Sequence, residues 1–213
     1  MKRSSRLAGA LGVMDPAFGC GSEGVGREPP GGGLGMAVAK AVLGYIEQRD
    51  LRIMRRLHRW RAPRPIRVSM LLMSRLGNGW VWYSLGIFIL LCGGQDRYRA
   101  FFASALAALV CILLFQCVKP LSRRRRPCEI EPHCWAVLAP PDRFSFPSGH
   151  AMTSFAIAVA VGSFYPQCQP CLLAIAALIA VSRIIVGMHF LTDIIVGAMI
   201  GAFIGYVSVW CFL

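Results

Sequence analysis

Charge is scarce in this sequence, and acidic charge is scarcest. Only 15% of the 213 residues are charged, against about a quarter in soluble domains. Ten acids stand against 20 arginines and three lysines, a net charge of +13. Residues 76–95, 100–118 and 144–182 carry no formal charge, and 184–213 carry only Asp193. A soluble domain would have no polar surface to spread over such runs, whereas runs near 20 apolar residues are long enough to cross a bilayer. The reading is an all-α, polytopic transmembrane helical bundle.

Other absences narrow the function. No cluster of carboxylates offers a Mg²⁺ site, so neither a metal nor a cofactor is expected. The first 35 residues hold ten of the 22 glycines and no apolar signal-peptide core, so they read as a disordered segment, and Met36 is an alternative start. Nucleic acid would suit so basic a chain, but the arginines flank apolar runs. Anionic lipid headgroups are the expected partners and nucleic acid is not; nothing in the sequence bears on oligomeric state. Of the nine cysteines, four (Cys92, Cys111, Cys117, Cys211) lie in apolar runs as small hydrophobes. Cys128 and Cys134 share a polar loop and could pair in an oxidising compartment. Cys168 and Cys171 have redox-motif spacing without a βαβ pattern around them.

Three regions follow: 1–35 glycine-rich, 36–65 a basic amphipathic interfacial helix, and 66–213 the membrane-embedded domain. In the second, Leu51, Met54, Leu57 and Trp60 share a helical face among eight arginines between 49 and 67, with His58 on the polar side. In the third, spans are expected at 80–92, 100–118, 147–165, 171–186 and 189–211. Arg97 and Arg99 would mark a turn. Gly77-Asn78-Gly79 would interrupt any longer helix, leaving 66–76 as an uncertain sixth span, so the bundle has five to six.

Three polar groups interrupt this apolar background: Lys119 with Arg126-Pro127, then Pro147-Ser148-Gly149-His150, then Ser182-Arg183 with His189 and Asp193. With up-and-down crossing, Lys119, His150, Arg183 and His189 arrive at one membrane face. A buried carboxylate such as Asp193 costs several kcal/mol (about 3) unless paired, and His189 lies four residues before it. Each group alone has a plainer explanation as topology signal, helix cap or turn. Together they suit phosphoryl transfer. Lys119, Arg126 and Arg183 would hold a phosphate dianion, helped by the N–H groups of Ser148 and Gly149 at a helix start. His189 would attack phosphorus, Asp193 would orient it, and His150 would protonate the leaving oxygen. Small-residue stripes from Asp193 (Gly197, Gly201, Gly205) and from His150 (Ser154, Ala158, Gly162) would let these helices pack closely.

The chain resembles the type 2 phosphatidic acid phosphatase (PAP2) family, the membrane relatives of vanadium haloperoxidases. The three-part signature K-x6-R-P, P-S-G-H and S-R-x5-H-x3-D is present in order and with intact spacing. The resemblance covers about 80–210. It implies a six-helix membrane fold and metal-independent hydrolysis through a phosphohistidine, with the residue roles just given. The hydropathy argues against the soluble peroxidase branch. Arginines 123 to 125 lie outside the signature. The resemblance also implies an outward-facing site. If 66–76 cross, the arginine-rich segment lies opposite the site, and the positive-inside rule agrees. The expected location is a bacterial inner membrane with an outward-facing site. The expected substrate is a lipid phosphate or diphosphate, with undecaprenyl diphosphate ahead of phosphatidate and phosphatidylglycerophosphate. A lipid phosphotransferase and a non-enzymatic lipid-phosphate binding or transport protein are the alternatives.

Overall fold

The computed structural model describes residues 32–60, 63–130 and 143–213. The first 31 residues and Cys134 lie outside the described residues, and with them the expected pairing of Cys128 and Cys134. The chain divides into two compact units, Met1–Ala39 and Lys40–Leu213. Of the first, only the opening turns of helix α1 (Gly32–Arg59) are described, which start inside the stretch expected to be disordered. Everything below concerns the second unit. It continues with α2 (Arg64–Leu76), α3 (Trp80–Cys92), a 3-10 turn (Gly94–Asp96), α4 (Arg97–Ser122), α5 (Pro127–Ile130), α6 (Gly149–Phe164), α7 (Gln169–Ile185) and α8 (Leu191–Trp210). No strand occurs among the described residues. Arg97 and Arg99 stand in the first turn of α4, not in a turn; the chain reverses just before them, at Gly94 with φ +68. Cys168 and Cys171 are free and exposed at the start of α7.

Helix α6 is the centre of the bundle and packs against α8, α4 and α7. Most of its buried positions are small, Gly149, Ala151, Ser154, Ala156, Ala158, Ala160 and Gly162, with Met152 and Val161 among them. Small residues let backbones approach in a membrane, where no hydrophobic effect drives helices together. On α8, a Cβ at Gly197 would lie 2.8 Å from the Ser148 carbonyl oxygen, and at Gly201 and Gly205 it would overlap the carbonyls of Met152 and Ala156. The glycine stripe therefore holds the 148–152–156 row of α6. The row that begins at His150 faces elsewhere: Trp82 of α3 donates to Ser154 Oγ at 3.2 Å, and Ala158 packs with Trp82 and Ile89. Both stripes are close-packed, but on different neighbours, so α6 presents Ser148 to α8 and His150 to α3.

Among the described residues, two helices are long and apolar enough to cross a membrane, one within Gly94–Ile130 and one at Leu191–Trp210; α3, α6 and α7 are shorter apolar helices. Large apolar side chains on α3, α4 and α8 point outward, among them Ile87, Phe88, Leu113, Met199 and Phe203. The starts of α6 and α8 and the ends of α4 and α7 meet at one end of the bundle. There Ser148 N–H donates to Asp193 O, Cys128 N–H to Gly187 O, and Ser122 Oγ to Phe146 O. At the other end Tyr165 donates to the Gly93 carbonyl at 2.8 Å.

Helix α2 is 13 residues long. Its last turn and the glycine turn beyond it touch the first end of the bundle, where Arg183 donates to Ser74 Oγ at 2.6 Å and His150 Nε2 lies 2.8 Å from Asn78 Oδ1. His58, shortly before its start, has a ring nitrogen 3.2 Å from the Ile185 carbonyl oxygen at the same end. His58 is thus bound to the end of α7 instead of lying on an outer polar face. A 13-residue helix spans about 20 Å, and its last turn is seated at that end. Asp50 and His58 of α1 and Ser74 of α2 thus meet the end of the bundle that carries Lys119, Arg183 and His189.

Candidate active site

The elements above bring Lys119, Arg126, Ser148, Gly149, His150, Arg183, His189 and Asp193 to one end of the bundle. Lys119 comes from the last turn of α4, is 7% exposed, and lies with Nζ 4.9 Å from the centre of the Phe115 ring. Arg123 ends α4 in a left-handed conformation (φ 48), which turns the next three arginines back over the bundle. Arg126 is fully buried and donates to the Met188 carbonyl at 2.9 Å. Arg183, in the last turn of α7, is 2% exposed. Its carbonyl accepts from the N–H of Met188 at 2.9 Å and of His189 at 3.4 Å, so the Gly187 turn (φ +78) folds His189 back beneath it.

His189 is 1% exposed. Its Nδ1 donates to the backbone carbonyl of Ser145 at 2.7 Å, and that carbonyl can serve only as acceptor. Nε2 is then the unprotonated nitrogen, 3.5 Å from Arg126 NH1. Burial pushes the imidazole down to about 4; Asp193 opposes the fall, and Arg126 and Arg183 add to it. The ring is therefore neutral at pH 7, with its lone pair on Nε2.

Asp193 was expected to pair with His189, and the two do meet, buried and at ion-pair distance, Oδ2 3.7 Å from Nδ1, although the nearer acceptor for Nδ1 is Ser145 O at 2.7 Å. The Asp193 carboxylate also receives the Phe190 N–H at 2.9 Å on Oδ2 and Arg124 at 2.6 Å on Oδ1. Ser148 differs from expectation. It caps α6, with Oγ accepting from Ala151 N–H at 3.4 Å, but its own N–H is directed at Asp193 O at 3.2 Å. The α6 groups left for an anion are the Gly149 N–H and, by rotation, the Ser148 hydroxyl.

Lys119, Gly149, His150 and Arg183 line one end of a cleft of about 540 Å³. Its remaining wall is apolar, with Trp82 and Tyr83 from α3, Ile112 and Phe115 from α4, and Ile157 two turns below His150 on α6. The arrangement joins two cationic side chains and His150 to an apolar cleft, with His189 buried beyond the lining residue Met188.

Four side chains belong to this site that sequence reasoning passed over: Ser74 on Arg183, Asn78 on His150, Arg124 on Asp193, and Asp50 on Arg124. Asn78 was read as a helix interruption. Gly79 (φ +115) and Gly77, whose added Cβ would lie 2.6 Å from Ile179 Cγ2, make a turn that delivers Asn78 to the histidine. Asp50 carried one faint signal, an acid within a run of arginines.

The fold and site define a helical hydrolase of phosphoric esters. The chain belongs to the PAP2 superfamily, whose family model matches residues 98–213. Among known proteins, it is 26% identical over 66% of its length, and 68% of theirs, to a Sulfolobus acidocaldarius protein named undecaprenyl-diphosphatase. It is 32% identical over 51% of its length to decaprenylphosphoryl-5-phosphoribose phosphatase of Mycobacterium tuberculosis, of which it spans 59%. The crystal structure of Aquifex aeolicus LpxE superimposes with TM-score 0.65 at 29% identity, covering 75% of this chain and 94% of that one. The PAP2-type phosphatidylglycerolphosphate phosphatase of Bacillus subtilis, a transmembrane protein, shares the fold with TM-score 0.60 at 22% identity, covering 77% and 84%.

Proposed function

We propose that this protein removes phosphate from a polyprenyl-linked phosphate or diphosphate in the membrane, through a phosphohistidine on His189. The observation that carries this reading is the cleft, which runs from Lys119, His150 and Arg183 to Ile157 along apolar walls. A phosphate on a long apolar tail matches it at both ends. The two relatives named for polyprenyl substrates support this class, with undecaprenyl diphosphate as the leading candidate and phosphatidate or phosphatidylglycerophosphate behind it.

In the reaction, Lys119, Arg126, Arg183 and the start of α6 hold the phosphoryl oxygens. The Nε2 lone pair of His189 attacks phosphorus as the bond to the lipid oxygen breaks. His150, protonated beside the bound dianion, gives its proton to that oxygen. In the second half His150 takes a proton from water, which attacks the phosphohistidine and releases inorganic phosphate. The cationic side chains act on charge that grows in the transition state.

The same reading gives five membrane passes, α3, α4, α6, α7 and α8, with α1 and α2 at the interface. The expectation of an outward-facing site rests on the family resemblance, and only its agreement with charge counting depends on 66–76 crossing. With α2 beside the site, the arginines of α1 and α2 share its face, while Asp96, Arg97 and Arg99 carry the charge of the other end. Counted alone, those arginines would favour a cytoplasmic site by the positive-inside rule, against the outward orientation that the resemblance implies, and the prokaryotic relatives support a bacterial inner membrane.

The test is a phosphate-release panel in detergent with EDTA, comparing polyprenyl diphosphates, a polyprenyl-phosphoribose phosphate, phosphatidate and phosphatidylglycerophosphate. A polyprenyl substrate should lead by kcat/KM, and His189→Ala should abolish turnover. Full activity in that variant would overturn the mechanism, and a preference for phosphatidate would overturn the substrate class.

A further inference from the structure

Asp193 is fully buried, and His189 stands 3.7 Å from its Oδ2, an ion-pair distance longer than a hydrogen bond. A buried carboxylate needs a counter-charge or several donors. Its counter-charge is Arg124, which lies outside the family signature. One guanidinium nitrogen reaches Asp193 Oδ1 at 2.6 Å and Thr192 Oγ1 at 2.8 Å. The other reaches Asp50 Oδ2 at 2.6 Å, and the group lies 4.3 Å from the centre of the Phe190 ring. Asp50, on α1, is only 2% exposed and also accepts from Thr192 through its N–H (3.3 Å) and its hydroxyl. One arginine thus bridges two buried acids, Asp50 on α1 and Asp193 on α8.

We propose that Arg124, anchored by Asp50, is a positioning residue for the reaction: it fixes and partly neutralises Asp193, and through Asp193 it sets the field on His189. The proposal rests on the phosphohistidine reading for its kinetic consequence, but not for its electrostatics. Its sense follows from charge alone. Asp50, Arg124 and Asp193 sum to −1. Removing the arginine leaves −2 near the imidazole and favours its protonated form. Neutralising Asp50 leaves 0 and disfavours it. The other charged and titratable groups around the two histidines, Lys119 of α4, Arg126, Arg183 of α7 and His150 of α6, stay unchanged. Helix α1 thereby acts on the site although none of its residues lines the cleft.

The experiment uses the full-length protein in detergent with Arg124→Gln, Asp50→Asn and the double variant. Two readouts are followed: the pH profile of kcat/KM for phosphate release, and the titration of the His189 imidazole by NMR in histidine-labelled protein. Arg124→Gln should raise the acidic limb and the imidazole midpoint by roughly one unit. It should also lower kcat more than it alters KM. Asp50→Asn should move the midpoint the other way, and the double variant should return towards the wild type. Arg124→Lys, which keeps the charge, should stay near the wild-type midpoint. Shifts of the same sign in both single variants, or no shift in a folded Arg124→Gln protein, would overturn the proposal. If Arg124→Gln does not fold, Asp50→Asn and Arg124→Lys decide it. Opposed NMR shifts without phosphate release would uphold the network and sink the hydrolase reading instead.

Discussion

The contact between α6 and α8 sets the distance between His150 and His189, and Gly201→Ala tests it directly. A methyl group at Gly201 would overlap the Met152 carbonyl oxygen, with the Met152 carbonyl carbon at 2.8 Å and Cα at 2.9 Å. All three atoms are backbone, so no side chain can rotate away, and the helices must separate by about 1 Å. Overpacking of this kind costs about 1–3 kcal/mol, and the absence of a flexible neighbour puts this site at the upper end. For a chain of this size that is a fall of roughly 6–12 °C in apparent Tm. The same separation would pull Ser148 from Asp193 O. A misplacement of about 1 Å at a reacting centre costs about 100-fold in rate, so kcat should fall by more than stability alone explains. Two substitutions calibrate the measurement. Gly162→Ala meets only the Gln169 chain, mostly its flexible side chain, and Gly44→Ala on α1 meets nothing within 4 Å. The first should cost less than Gly201→Ala, and the second should be neutral or slightly stabilising. The assay is thermal unfolding in detergent with phosphate release measured on the same samples. A Gly201→Ala protein within 2 °C (about 1 kcal/mol) and threefold of wild type would refute close packing as what sets the site.

Asn78→Ala removes the acceptor 2.8 Å from His150 Nε2. A single lost hydrogen bond of about 1 kcal/mol corresponds to a fall of about fivefold in kcat, with KM for a short-chain substrate nearly unchanged; an unaltered kcat would remove Asn78 from the site. His189 is held neutral, with its folded-state value lowered to about 4 from 6.5. As pH falls below 6.5 the unfolded chain takes up a proton that the folded chain does not, so stability falls until about pH 4 and then levels off. His189→Asn should flatten that part of a plot of Tm against pH, and an unchanged slope would count against the buried neutral ring. By the arginine count, five passes with α1 at the cytoplasmic face put the C-terminus outside. A C-terminal alkaline phosphatase fusion should then be active and a green fluorescent protein fusion dark, and the reverse pattern would place the site outward.

What could be read from the sequence was what local pattern and spacing encode. Hydropathy located α3, α4, α6, α7 and α8 to within a few residues, because each is a continuous apolar run bounded by charge, glycine or proline. The spacing within three motifs singled out Lys119, Arg126, His150, Arg183 and His189, because one-way crossing leaves few faces on which they can meet. The misses have physical causes too. His189 and Asp193 do meet, at 3.7 Å, but too far apart for the close bond that a four-residue spacing within a helix would suggest. Helix α8 begins at Leu191, so His189 sits on the turn before it, where helical geometry does not apply, and a backbone carbonyl from Ser145 captures the ring. Asn78, Ser74, Asp50 and Arg124 touch the site across 72, 109, 74 and 69 residues of chain. Periodicity can tell which face of a helix is buried but not what it is buried against. Arg124 shows the consequence most clearly. Its three arginine neighbours include one signature residue and two exposed side chains, and only the left-handed step at Arg123 decides which of the four turns inward to Asp193. A run of identical residues carries no sequence signal for that choice; it is made by the backbone.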